Sequence, residues 1–396
     1  MAETSVANRQ VQYHMIMMGC DPELFFEREG RIIGAEKVVP EAGISTKGSA
    51  PEGFGKDRHF VLDGVQIEMN PNAHPCRANL TNEFRVAFKA LKKHLQEMTG
   101  VTASFRSVIE VDKIELDSLS EKSRILGCAP SNNIYDSKAR VNVNPKTYRK
   151  RSAGGHIHVG LTAAPWYKGY DHLMKVREEL VPLMDVLVGL PSVLVDRDPL
   201  AAERRKVYGR AGEHRLPAHG VEYRTLSNFW IRSNQLMSMV MGLTRLAVSV
   251  LATEYYVYET SGYSPKYNAK VYEATNASRK WPAATTLLGK MDMEAVVEAI
   301  NTNNRELALQ QFQNVKSFIA EHVREGDYGL NSYNLEAFDI FVNQIHEKGI
   351  ESWFPQDPIE HWCNIPEGHC GVGFESFLNH VENLRNNRVS TYKTTY

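Results

Sequence analysis

Residues 14–26 read HMIMMGCDPELFF: an apolar run breaks on Asp21-Pro22 and resumes with a second carboxylate, Glu23, ahead of Leu24, Phe25 and Phe26. Gly30 supplies a turn before RIIGAEKVV at 31–39, so the segment from Tyr13 to Val39 reads as strand, turn, strand. Strands usually keep carboxylates on the solvent face, yet here they sit inside apolar runs. The intrusion recurs: Asp63 and Glu68 fall in HFVLDGVQIEMNP at 59–71, and Glu222 falls in GVEYRTLSNFW at 220–230. Residues two apart on a strand share a face, so Asp21 with Glu23, His156 with His158, and Glu222 with Arg224 are expected as same-face pairs. If the strands share one sheet, the pairs line one concave surface.

Carboxylates gathered on such a surface repel, by roughly 4 kcal/mol for two unit charges about 4 Å apart at an effective dielectric of 20. Cations must offset that. Carboxylate oxygens with one or two imidazoles suit Mg²⁺ or Mn²⁺ better than thiolate-seeking zinc. The nearby Arg204, Arg205, Lys206, Arg210, Arg215 and Arg224 suit the phosphates of a nucleotide, because guanidinium meets phosphate in bidentate geometry. Taken singly, HxH, DPE and ERRK are ordinary surface or turn sequences. Their ordered combination is what points to a site.

The flanking segments supply a frame. Asn79 or Thr81 caps a predicted helix to about Met98, with Phe84, Ala87, Phe88, Leu91 and Leu95 on one face and Gly100 as its stop. A strand is expected over Val101 to Val111, loop over Lys122 to Tyr135, and a basic stretch from Lys146 before Gly154-Gly155. HIHVGLT at 156–162 reads as a strand, Tyr170 to Leu190 as a helix interrupted at Pro182, and Ser233 to Tyr256 as a long apolar helix. Arg245, near the middle of that helix, makes it a poor membrane span. Beyond about residue 269 only helical periodicity appears, in MEAVVEAINT, LALQQFQNVKSFIAEHV and LEAFDIFVNQIHEKG. The expected units are a core over 13–260 and a mainly helical region over 269–386.

Composition excludes several classes. With 46 Lys plus Arg against 47 Asp plus Glu, the net charge of −1 gives no global field for a nucleic acid. The first residues, MAETSVANRQVQ, lack the pattern of a signal peptide, and five cysteines without a CxxC suit reduced thiols, so a cytoplasmic location is expected. HWCNIPEGHC at 361–370 carries His361, Cys363, His369 and Cys370, but its spacing is irregular for structural zinc. Cys20 is read as structural, since the charge of Asp21 disfavours its thiolate.

The succession GCDPELF, DGVQIEMNP, LGCAP, AGGHIHVG, RRKVYGRAGEHR and GVEYRTLSNFW resembles the phage and bacterial COOH-NH2 ligase family, type 2, of the glutamine synthetase and glutamate-cysteine ligase superfamily. The resemblance covers about residues 15–235. It implies an α+β fold, a glutamine-synthetase-like curved antiparallel sheet forming a metal-lined tunnel, with helices outside and a helical C-terminal region. It also implies ATP, Mg²⁺ or Mn²⁺, and small-molecule or peptide carboxylate and amine substrates, and it allows a homo-oligomer in a bacterial host cytoplasm. By the same resemblance the metal ligands are Asp21, Glu23, Asp63, Glu68, His156 and Glu222. His158, Arg205, Arg210, Arg215 and Arg224 fall to the nucleotide, and Arg224 and Glu68 to catalysis. Tyr208 lies in the phosphate-loop segment without an assigned role. LGCAPSNN departs from the family pattern in having no acidic residue until Asp136, so a substrate contact there is expected to differ. The implied activity is an ATP-dependent ligase working through an acyl phosphate; the alternatives are a phosphotransferase on the same fold, a metal-dependent hydrolase, and a non-catalytic virion or assembly protein.

Overall fold

The computed structural model describes residues 17–41, 43–45, 58–74, 77–125, 131–136, 143–144, 147–162, 169–260, 284–322, 332–345 and 349–366. Its strands are β1 (Met17–Cys20), β2 (Glu23–Arg28), β3 (Arg31–Ile33), β4 (Ile44–Ser45), β5 (Arg58–Asp63), β6 (Gln66–Met69) and β7 (Val101–Ser104). These are followed by β8 (Val108–Glu110), β9 (Asn132–Asn133), β10 (Lys150–Ser152), β11 (Ile157–Gly160), β12 (Glu213–Arg215) and β13 (Gly220–Tyr223). Mixed helix and antiparallel sheet is the architecture.

The acidic strands do not share one sheet. One sheet runs β1-β11-β13-β12-β9 and another β3-β2-β6-β5-β4, with β7 also paired to β2. They are joined covalently at Asp21-Pro22, between β1 and β2. Proline has no N–H to continue a ladder, so a strand break there is expected. Pro22 still contributes its carbonyl, which accepts from Met69 N at 2.8 Å, while Glu23 N donates to Gly154 O at 2.9 Å. Asp21 and Glu23 are therefore not a same-face pair of one strand; each serves a different sheet.

Other expectations are refined. The predicted strand at 101–111 is two short strands, β7 and β8; of the segment 122–135, LGCAP at 126–130 lies outside the described residues, and the rest holds the end of the helix Glu121–Arg124 and β9. The helix at Tyr170–Met184 runs through Pro182 unbroken and then widens into a π-turn at Asp185–Gly189 before Leu190–Val195. GVEYRTLSNFW is extended only over Gly220–Tyr223 and then forms a 3₁₀ turn at Asn228–Arg232.

Asn234–Thr260 is the central helix, with Leu236, Met237, Val240, Met241, Leu243 and Ala247 buried. Arg77, at the start of Arg77–Gln96, donates to Ser238 O at 3.1 Å and ties that helix to it. Trp362 of Pro358–Asn364 stacks on Phe84 and Phe88 and donates Nε1 to Ile231 O at 2.7 Å. Helices Met293–Thr302 and Arg305–His322 bury Val296, Ile300, Phe312 and Val315 in the same core as the central helix. Of HWCNIPEGHC, residues 367–370 lie outside the described residues, and His361 is engaged with Asn234 Oδ1 at 2.9 Å. No helix among the described residues is long and apolar enough to cross a membrane.

Candidate metal centre and anion site

Two groups of ligand-type side chains are joined through the Asp21-Pro22-Glu23 tripeptide, which gives one residue to each. Asp21, His158 and Glu222 converge in one, and Glu23, Asp63 and Glu68 in the other, the ligand atoms of each lying within 4.8 Å of one another. Pairing of β1 with β11 places Cys20 opposite Ile157, and pairing of β11 with β13 places His158 opposite Glu222. In the second sheet Glu23 sits directly opposite Glu68. Like charges facing each other across a strand pair destabilise a sheet, so that arrangement is retained at a cost.

His156, directly ahead of β11, is buried, with Nδ1 3.0 Å from Asp21 Oδ1 and 3.6 Å from Glu222 Oε1. His158 Nε2 lies 3.2 Å from Asp21 Oδ2, and its Nδ1 lies 3.0 Å from His219 Nε2. Burial alone would raise Asp21, but His156 and His158 beside it hold its carboxyl well below the usual range. Burial pushes His156 down, against the opposing pull of Asp21. Burial and the neighbouring carboxylates push Glu23 up, and burial with the charge of Asp21 does the same to Asp63. Carboxylates in that condition need either a shared proton or a cation. Burial and the Asp21 charge also raise the thiol of Cys20, which fits its structural reading.

A divalent cation fits these residues. Asp21 Oδ1 and His156 Nδ1 are both buried and without a hydrogen-bond partner, although they are 3.0 Å apart. Buried polar atoms seldom remain unpaired unless they serve a ligand or water. The donor set is oxygen with imidazole, suited to Mg²⁺ or Mn²⁺.

The arginines divide. Arg215 donates Nε and Nη2 to Glu222 Oε1 at 3.0 and 2.6 Å, and its side chain is 30% exposed. Arg224 Nε lies 3.1 Å from the same oxygen, and its Nη1 and Nη2 donate to Ser131 Oγ and Tyr208 Oη at 2.8 and 2.9 Å. Arg224 has no exposed surface, so Arg215 is the more accessible guanidinium. Arg205, expected at the nucleotide, instead points into the helical layer and donates to Asn303 Oδ1 at 2.7 Å. Arg210 Nε pairs with Glu213 Oε1 at 3.2 Å, within its own loop. Asn301 Oδ1 accepts from Ala211 N at 2.8 Å, so the C-terminal helices hold the 205–213 loop that carries these residues.

Sequence reading missed His219 and Ser131, and it left Tyr208 unassigned. A histidine directly before Gly220 and an aromatic residue inside an arginine-rich, glycine-bounded loop were the available signals. Of the basic stretch before the double glycine, Lys146 lies outside the described residues, Lys150 pairs with Glu203 at 2.6 Å, and Arg151 is buried on the carbonyls of Lys150 and Arg124.

Gly154 and Gly155 let the two sheets close. Gly154 N donates to Glu23 Oε2 at 2.7 Å, and a Cβ on Gly154 would stand 2.4 Å from His156 Nε2. A Cβ on Gly155 would stand 2.4 Å from both Ser227 O and Trp230 Nε1. Gly155→Ala is therefore expected to cost about 1–3 kcal/mol, read as a lower midpoint in urea unfolding. An unchanged midpoint would contradict the tight closure.

No curated protein matches the chain. Among solved structures, a bifunctional glutathione synthetase from Pasteurella multocida is similar at 10% identity and a TM-score of 0.32, over 85% of this chain and 54% of that one. The chain thus spans about half the length of that protein. Residues 128–280, which hold His156, His158, Glu222 and Arg224 but not the first four carboxylates, match the family model for the phage phiEco32-like COOH.NH2 ligase, type 2, the same family that the order of motifs resembles.

Proposed function

We propose that the chain is an ATP-dependent carboxylate-amine ligase, built on a glutamine-synthetase-like sheet whose tunnel is lined by the two carboxylate groups. The observation that carries the reading is the convergence of Asp21, His158 and Glu222, and of Glu23, Asp63 and Glu68, as two groups of ligand-type atoms on two sheets, with His156 beside the first and Arg215 and Arg224 on Glu222. The match of 128–280 to a ligase family supports it.

Asp21, Glu222, His156 and His158 would hold one divalent cation, and Glu23, Asp63 and Glu68 a second. Such cations supply charge neutralisation at phosphate oxygens. Neutralisation matters because a carboxylate does not condense with an amine in neutral water: its charge repels the nucleophile and oxide is a poor leaving group. In the proposed route a substrate carboxylate oxygen attacks the γ-phosphorus of ATP, ADP departs, and an acyl phosphate forms. The amine nitrogen then attacks the acyl carbon, phosphate leaves, and the amine proton passes to solvent or to a nearby base. Arg215 offsets the phosphate charge from the accessible side, and Arg224 fixes Glu222 from below. The covalent chemistry belongs to the substrates; the protein contributes positioning and a preorganised field. The helical region from 269 onward would buttress the 205–213 loop, and a bacterial cytoplasm is the proposed setting.

The test is ADP release with Mg²⁺ and ATP across pools of amino acids, peptides and amines. Release should require an acid and an amine together, and Glu68→Gln and Arg224→Ala should each lower it by about 10²-fold. Release that needs an acid but no amine would sink the ligase in favour of a phosphotransferase. ATP-independent hydrolysis would place the chain among metal-dependent hydrolases.

A further inference from the structure

We propose that Tyr208 is a positioning residue of the candidate metal centre, one that turns His156 so that Nδ1 rather than Nε2 is offered to a divalent cation and couples that ring to Arg224. The inference rests on the metal-dependent reading above.

An imidazole has two nitrogens, and the bond made by one decides what the other can do. His156 Nε2 is taken up by the Tyr208 hydroxyl. On the far side of the ring, Nδ1 stands 3.0 Å from Asp21 Oδ1 and 3.6 Å from Glu222 Oε1, and neither Nδ1 nor Asp21 Oδ1 has a hydrogen-bond partner. A nitrogen and a carboxylate oxygen 3.0 Å apart are placed either as two ligands of one cation or as an Nδ1–H···Oδ1 bond, and the tautomer of His156 decides between the two. An Mg²⁺ or Mn²⁺ ion would accept an imidazole nitrogen and a carboxylate oxygen as such a pair. With Nε2–H donating to Tyr208 Oη, the Nδ1 lone pair faces the carboxylates. The opposite tautomer would put a proton where the cation must go.

Tyr208 is itself held firmly enough to dictate this. Arg224 Nη2 donates to Oη at 2.9 Å, and the guanidinium carbons of Arg204 and Arg224 lie 4.7 and 4.9 Å from the ring centroid. Arg204 cannot drift, because it donates to the carbonyls of Thr225 and Leu226 at 2.8 Å each. Gly209, at φ +79°, leaves room for Arg204: a Cβ there would lie 2.0 Å from Nη1. One phenol oxygen thus links a residue on the cation side, His156, to a residue on the anion side, Arg224. Glu222 closes the circuit, facing His156 Nδ1 and Arg224 Nε with the same Oε1 atom.

The experiment is Mn²⁺ binding by calorimetry on the full chain, comparing wild type, Tyr208→Phe and Asp21→Asn, with ¹⁵N-histidine spectra of the wild type in Mg²⁺. Tyr208→Phe keeps the ring and loses only the hydroxyl. It should weaken Mn²⁺ about 10–100-fold while its thermal midpoint stays near that of wild type. The His156 resonances should show a protonated Nε2 and a bare Nδ1. Should Tyr208→Phe fail to fold, the wild-type spectra decide: a protonated Nδ1 in Mg²⁺ overturns the assignment. Mn²⁺ affinity unchanged in Tyr208→Phe but lost in Asp21→Asn also overturns it, leaving the metal centre intact. A wild-type chain that binds no Mn²⁺ overturns the metal-dependent reading as well, which separates that failure from failure of the tyrosine alone.

Discussion

Replacing Arg204 by methionine is expected to lower folding stability by about 3–5 kcal/mol, the largest single-residue loss anticipated in this molecule. The side chain is 1% exposed and spans the turn that leads out of β13, donating to Thr225 O and Leu226 O at 2.8 Å and to Arg224 O at 3.4 Å. Those carbonyls follow the last residue of the strand; Leu226 O also accepts from Gly155 N at 3.0 Å, so Thr225 O is the one that depends most on Arg204. Methionine fills similar volume but carries no donor, and each buried acceptor left unmet costs about 1–3 kcal/mol. Urea unfolding gives the measurement, with Arg205→Met as the comparison. Arg205 makes one side-chain bond, to Asn303, and its replacement should cost clearly less. A loss under 1 kcal/mol for Arg204→Met would show that the turn finds other donors.

The second large effect concerns pH. Asp185 sits in the π-turn, fully buried, accepting from Tyr223 Oη at 2.6 Å and Tyr135 Oη at 2.9 Å. Burial outweighs these bonds and pushes its carboxyl from the ordinary 3.8 up to about 7. Between pH 4 and 7 the folded protein therefore keeps a proton that the unfolded chain has released. Stability is greatest below the unfolded value, falls as pH rises toward the folded one, and is level beyond it. At about 1.4 kcal/mol per pKa unit the full excursion is about 4 kcal/mol. Glu23, Asp63 and Asp196 are raised by burial and bend the curve the same way. Asp185→Asn, which cannot ionise, should remove the Asp185 share. The check is the unfolding free energy of both proteins at pH 4.5, 6 and 7.5; parallel curves would refute the role given to Asp185.

Much of the site was legible because period-two placement makes misplaced charges conspicuous. Glu68 and Glu222 stand out within apolar runs, and the structure puts both on strands, in separate ligand groups. The sheet division was harder to read. Asp-Pro looks like a kink in one strand until the partners are known, and only pairing shows that β1 goes to β11 while β2 goes to β6. The arginines were read as one population because composition carries no direction. Arg205 turns inward because its helix, Ala201–Arg205, packs near Met293–Thr302, a contact between segments about 90 residues apart that no local pattern announces. His219 was missed for a similar reason: its significance lies in the loop that brings it back to His158.

The Asp21-Pro22-Glu23 tripeptide has a consequence for how the molecule tolerates change. One proline, with its backbone torsion locked by the ring, separates a carboxylate of the first ligand group from one of the second. Their spacing is thus set by covalent bonds, as on a ruler, and only secondarily by how well the surrounding core is packed. Substitutions that soften the helical layers can then erode melting temperature while the gauge between the two ligand groups holds. Inserting one residue after Asp21, by contrast, would change the gauge itself even in a chain that melted normally.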